Sequence, residues 1–132
     1  MERAFLDANV LFSASRDPRS ALLPLWSLAA VEIVTSAYAV EEVRRNLESE
    51  AQRRRLEALL ARTTIMSEAP AWRLPAGVQL REKDVPILAA AVSCRATHLV
   101  TGDWRDFGPY FGRRIAGVFI VAPRDYLRAH GR

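Results

Sequence analysis

"KDVPILAAAVSCRATHLVTGDWRDF", residues 83–107, decides the fold. Its first half has helical period. Asp84 stands where an N-cap belongs, Pro86 falls in the first turn, where a missing N–H costs little, and Ile87, Ala91 and Cys94 repeat along one face. Its second half, "THLVTGD" (97–103), is β-rich and ends on a carboxylate. A helix leading directly into a short buried strand is one half of a βαβ unit.

The same alternation recurs along the chain. "RAFLDAN" (3–9), "VEIVTS" (31–36), "TTIMS" (63–67) and "VFIVAP" (118–123) are further short β-rich runs. Between them lie helical stretches. After Thr35 and Ser36, which suit a helix start, Val40, Val43 and Leu47 share one face. Leu56, Leu59 and Leu60 mark a second helix, with Glu50/Arg54 and Arg53/Glu57 at i,i+4 spacing. "SEAPAWRLPAGVQLRE" (67–82), with two prolines and a glycine, reads as a loop with extended pieces. Five strands alternating with helices predict a three-layer α/β/α sandwich on a mostly parallel sheet, order 3-2-1-4-5, in one domain over 1–132.

Composition limits the function classes. Half of the 132 residues are hydrophobic and 26% charged, a globular balance. No apolar run reaches the ~18 residues of a membrane span. "ALLPLWSLAAV" (21–31) is too short, holds Pro24, and follows charged residues, so it does not read as a leader. It suits either core or a homodimer face. Cys94 is alone, which excludes a disulfide framework and a cysteine metal site. A cytoplasmic location is the default expectation. The net charge of +4, carried by Arg and the single Lys83, hints at an anionic partner.

The carboxylates carry the chemistry. In an open parallel sheet, ligands bind beyond the carboxyl ends of the strands, where strand order reverses. Asp7 ends the first strand; Asp103 and Asp106 follow the fourth. Glu42 lies in the helix after the second strand, and Asp84 opens the helix that runs back toward the fourth. Bare carboxylates ~4 Å apart repel by about 1 kcal/mol in water and about 4 kcal/mol at an effective dielectric of 20. A cluster of them takes up protons or binds a cation. Oxygen ligands without His or Cys suit Mg²⁺ or Mn²⁺. Such ions can activate water for in-line attack on phosphorus.

"FLDANVLFSA", "SAYAVEEVRRNL" and "KDVPILAAAVSCRATHLVTGDWRDF" together resemble the motif series of PIN-domain ribonucleases, from residue 4 to about 107 with a closing strand near 120. The resemblance implies that Asp7, Glu42, Asp84 and Asp103 are the catalytic, metal-binding acids and Asp106 an auxiliary ligand. It implies support by hydrogen bonds from Asn9, Ser36 and Thr101. Glu41 competes with Glu42; the family motif has its acid directly before an apolar residue, here Val43, which favours Glu42. It further implies a Mg²⁺- or Mn²⁺-dependent endoribonuclease, with RNA as substrate and, as in VapC-type toxins, a small antitoxin protein as partner.

Other residues admit plainer readings. Arg44, Arg45 and Arg105 are candidates for RNA-backbone contact, and a solvated charged face is the alternative. Trp104 either stacks a base or packs in its own turn. His98 reads as a core or edge residue, His130 as tail, Cys94 as core. Two other functions stand beside the nuclease: a regulated binding module on the same fold, and a phosphoacceptor receiver domain. The receiver is disfavoured because its pocket needs a lone Asp on strand three, where this chain has "IMSE", and a Lys after strand five.

Overall fold

A computed structural model describes residues 1–67 and 72–130. Residues 68–71, inside the expected loop 67–82, lie outside the described residues. The strands are β1 (Glu2–Leu6), β2 (Val31–Ser36), β3 (Thr64–Met66), β4 (His98–Val100), β5 (Arg114–Ile115) and β6 (Val118–Val121). They form one sheet of order β3-β2-β1-β4-β6-β5. All pairings are parallel except β5 with β6. The expected 3-2-1-4-5 order is present, with "VFIVAP" supplying the strand beside β4. The two-residue β5 is an addition: Gly117, at φ +89°, turns the chain so that Arg114 and Ile115 fold back onto the β6 edge.

β1 is the centre. Phe5 is in register with Val34 on one side and with Leu99 on the other. Successive strand residues point to opposite faces, and Ala4, Phe5 and Leu6 are all wholly buried. Both faces of the sheet are therefore covered, as the apolar strands require. The covering helices are α1 (Ala8–Arg16), α2 (Ala37–Asn46), α3 (Glu50–Leu60), α4 (Val85–Ser93) and α6 (Pro123–His130), with a single turn, α5 (Trp104–Phe107), after β4. Leu11, Leu56, Leu88 and Tyr126 bring them onto the core.

Polar residues at the carboxyl ends of the strands start the helices. Asp7 Oδ1 accepts from Ala8 N, Ser36 Oγ from Ala39 N, and Asp103 Oδ1 from Asp106 N. Each cap satisfies a backbone donor that the helix start leaves open. The same geometry sets these side chains at one edge of the sheet.

Several local expectations are corrected. Asp84 stands at the start of α4 but makes no capping bond. It lies in helical backbone, because a 3₁₀ turn over Glu82–Asp84 already leads into the helix. The i,i+4 pairs on α3 are replaced by Glu50 with Arg53 and by Glu57 with Arg44 of α2. The strand at 97–103 is only His98–Val100, since Thr101 onward turns into the site. In the 21–31 stretch, Leu25 and Trp26 are buried, and Trp26 Nε1 donates to Thr63 Oγ1 at 2.9 Å. That part of the stretch is core. Among the described residues, no helix is long and apolar enough to cross a membrane.

Candidate metal centre

The ends of β1 and β4 are adjacent strands' ends, and Thr101 locks them together. Its hydroxyl donates to Asp7 Oδ2 at 2.8 Å and accepts from Asp103 N at 3.1 Å. Asn9, in the first turn of α1, reinforces the joint: its amide nitrogen donates to Asp7 Oδ2 at 3.1 Å, and its oxygen accepts from Gly102 N at 2.8 Å. A methyl group at Gly102 would stand 3.3 Å from that oxygen, so a residue without Cβ suits the approach. Asn9 and Thr101 thus both donate to the same oxygen of Asp7. Ser36 sits at the same sheet edge with its hydroxyl on Ala39 N, the cap of α2.

Three carboxylates converge beyond this joint. Oxygens of Asp84, Asp103 and Asp106 lie within 4.8 Å of one another. Asp7, Glu42, Asp84 and Asp103 line one cleft of about 490 Å³, together with Phe12 and Lys83. Asp7 and Glu42 share that cleft but stand outside the tight trio, and both Asp7 oxygens already accept hydrogen bonds. Glu42, not Glu41, faces the cleft; Glu41 is exposed.

The environment works against ionisation of the deepest acids. Burial raises the Asp7 carboxyl above its usual range, against hydrogen bonds from Thr101 and Ala8, and the nearby Asp103 adds to the rise. Burial also lifts Asp84, to about 7, helped by its hydrogen bond with Asp106 and opposed by Lys83. Asp106 is held low by that same bond and by Arg81 and Lys83. Asp84 Oδ2 is buried with no hydrogen-bond partner. A buried carboxylate oxygen without a partner is costly unless a proton or a cation satisfies it. The trio therefore fits a hard divalent ion held by oxygen.

Sequence reasoning missed two cations. Lys83 Nζ lies 3.1 Å from Asp84 Oδ1 and 3.8 Å from Asp106 Oδ2, and Arg81 Nε 3.1 Å from Asp106 Oδ1. Their signal was proximity to Asp84 along the chain, but the bend that folds them over Asp106 is a 3₁₀ turn without a sequence mark. Of the expected RNA contacts, Arg44 is engaged by Glu57 at 2.9 Å, while Arg45 and Arg105 are exposed. Trp104 packs against Phe111, with ring centroids 4.1 Å apart, and stays 63% exposed. His98 and His130 are half-buried at the opposite end of β1, around Glu2.

A mostly parallel α/β sheet with acids gathered where β1 and β4 diverge defines an α/β protein whose ligand site lies at the strand carboxyl ends. The PIN domain family profile matches residues 3–105. The chain belongs to the PIN domain family. Among solved structures, it is similar to a chain of VapBC2 from Rickettsia felis bound to a DNA fragment from their promoter. The two are 16% identical, with a TM-score of 0.62, over 91% of this chain and 98% of that one. That likeness is one of fold. No curated protein matches the chain significantly. The family match removes the receiver-domain alternative.

Proposed function

We propose that this protein is a Mg²⁺- or Mn²⁺-dependent endoribonuclease and the toxin of a toxin–antitoxin pair. One observation carries the nuclease reading: the convergence of carboxylate oxygens of Asp84, Asp103 and Asp106, with Asp84 also holding a buried oxygen that has no hydrogen-bond partner. Asp84, Asp103 and Asp106 would hold the ion, with Asp7 and Glu42 as further acids on the same cleft. Bound there, a divalent cation supplies a polarised water and offsets the charge that develops on a phosphodiester under attack.

The chain's own residues do the rest. Thr101 and Asn9 fix Asp7 at the wall of the cleft. Arg81 orients Asp106. Glu42 lines the same cleft from α2 and would serve as the acid beside the attacking water. Exposed Arg45 and Arg105 attract the RNA backbone by charge without reading bases. The similarity to VapBC2 motivates the toxin role. A small protein partner would close the cleft by placing a cationic side chain against the acids.

Incubating the purified chain with RNA and Mn²⁺, beside Asp84→Asn and Asp103→Asn, tests the activity. Cleavage by the wild type and at least a hundredfold loss in each variant is the expected result (about 3 kcal/mol). Full cleavage by both variants removes the proposal. Copurification with a small protein encoded next door tests the toxin role; a chain that always purifies alone and lacks such a neighbour counts against it.

A further inference from the structure

The three carboxylates already face a cation that the chain itself supplies. Lys83 Nζ is 3.1 Å from Asp84 Oδ1, 3.8 Å from Asp106 Oδ2 and 3.9 Å from Asp103 Oδ2. These are the same three residues whose oxygens cluster tightly enough for one ion. We infer that Lys83 is a tethered competitor: it stands on the carboxylates in the metal-free protein and withdraws when a divalent ion takes them. The inference rests on the metal-dependent reading above.

Three features make withdrawal feasible. The Lys83 side chain is 52% exposed, so its ammonium can return to water. Its flexible stem carries a compact, strongly hydrated charge, unlike the planar guanidinium of arginine. Finally, Arg81 holds Asp106 through Oδ1, whereas Lys83 approaches Oδ2. Asp106 therefore keeps its orientation after Lys83 leaves. On Asp84 the division is just as clear. Lys83 holds Oδ1, and the buried Oδ2 is the oxygen without a partner.

The consequence is a site of moderated affinity. A monovalent ion gains little by displacing an ammonium of equal charge, while a divalent ion gains more from the same oxygens. Lys83 also offsets, in the metal-free cleft, the carboxylate charge that Arg81 on Asp106 does not reach.

Calorimetric titration of the full chain with MgCl₂ tests this. Lys83→Met is expected to bind Mg²⁺ about fivefold tighter, the worth of a half-exposed ion pair (~1 kcal/mol). Lys83→Arg, which keeps the charge and presents a planar fork suited to carboxylates, is expected to bind Mg²⁺ no tighter than wild type. The gain should survive about 0.5 M salt, where the Debye length is near 4 Å, because the competition is by contact. Lys83 is the sole lysine, so acetylation of the folded wild type, with Lys83→Met acetylated alike to control for the reacted α-amino group, should reproduce the Lys83→Met result. Unchanged or weaker binding in both neutralised forms overturns the inference, as does a gain that disappears in salt. Asp84→Asn separates the two levels. Wild-type binding that Asp84→Asn leaves intact places the ion elsewhere and sinks the metal reading itself. Binding lost in Asp84→Asn but not improved by neutralising Lys83 removes the competitor alone.

Discussion

Thr101 links two acids with one hydroxyl, and the site's order depends on it. It is wholly buried. Thr101→Val keeps the shape and deletes the oxygen, leaving Asp103 N without its acceptor and Asp7 with one donor fewer. The expected cost is about 1–3 kcal/mol in denaturant unfolding, and Thr101→Ser should recover most of it. Asp84 supplies a second test at this scale. Its carboxyl titrates near 7 in the folded chain against 3.8 ordinarily, mainly through burial, and burial raises Asp7 too. The folded protein therefore keeps protons that the unfolded chain has released, so metal-free stability falls as pH rises from about 4 to about 7. The lowered acids, Glu2 and Asp106, act elsewhere: their contribution is complete above their ordinary range and is lost only in stronger acid. Melting in chelator should decline from pH 5 to pH 8. Asp84→Asn should make that decline shallower, leaving the part owed to Asp7; a slope unchanged in the variant would contradict the assignment.

Among the elements, what the sequence made legible was whatever a local rule encodes. Val40, Val43 and Leu47 set the buried face of α2, and all three are buried. Ser36, β-branched strands and Pro86 marked boundaries to within a residue or two. Spacing rules did worse where the competing partner came from another element. Glu57 has Arg53 four residues behind it, yet it pairs with Arg44, because α2 and α3 both pack on α1 and bring the two side chains within reach. Asp84 was legible as a candidate ligand and as a cap, but its burial was not: no local rule marks the 3₁₀ turn over Glu82–Asp84 or the ammonium of Lys83 on its Oδ1. Two expectations follow. Ser49 and Gln52 form a reciprocal capping box at the start of α3, so Ser49→Ala should cost about 1 kcal/mol. The Arg44–Glu57 pair is half-exposed on both sides, so Glu57→Ala should change unfolding free energy by less than about 1 kcal/mol. Reversing that order would mean that surface charge, not the cap, holds α3.

Across the whole molecule, the fold concentrates negative charge in a chain whose net charge is +4. The sheet does this by aligning the carboxyl ends of its five parallel strands and by running α4 so that its start returns to the same edge. Much of the native state's electrostatic strain then sits in one mouth, and relief of that strain should be felt by the entire cooperative unit. A divalent ion bound only by the native chain stabilises it by RT ln(1 + [L]/Kd), which is about 1.4 kcal/mol at ten times Kd. For a chain of this length that is a rise of roughly 4–6 °C in Tm. Saturating Mn²⁺ should produce such a rise at pH 8, and a smaller one at pH 5, where Asp84 holds its proton and the ion must displace it. Asp84→Asn should abolish the rise at both values. If Mn²⁺ left Tm unmoved in the wild type at pH 8, at concentrations where titration shows binding, the ion would bind folded and unfolded chains alike. The gathered carboxylates would then not be the place where it binds.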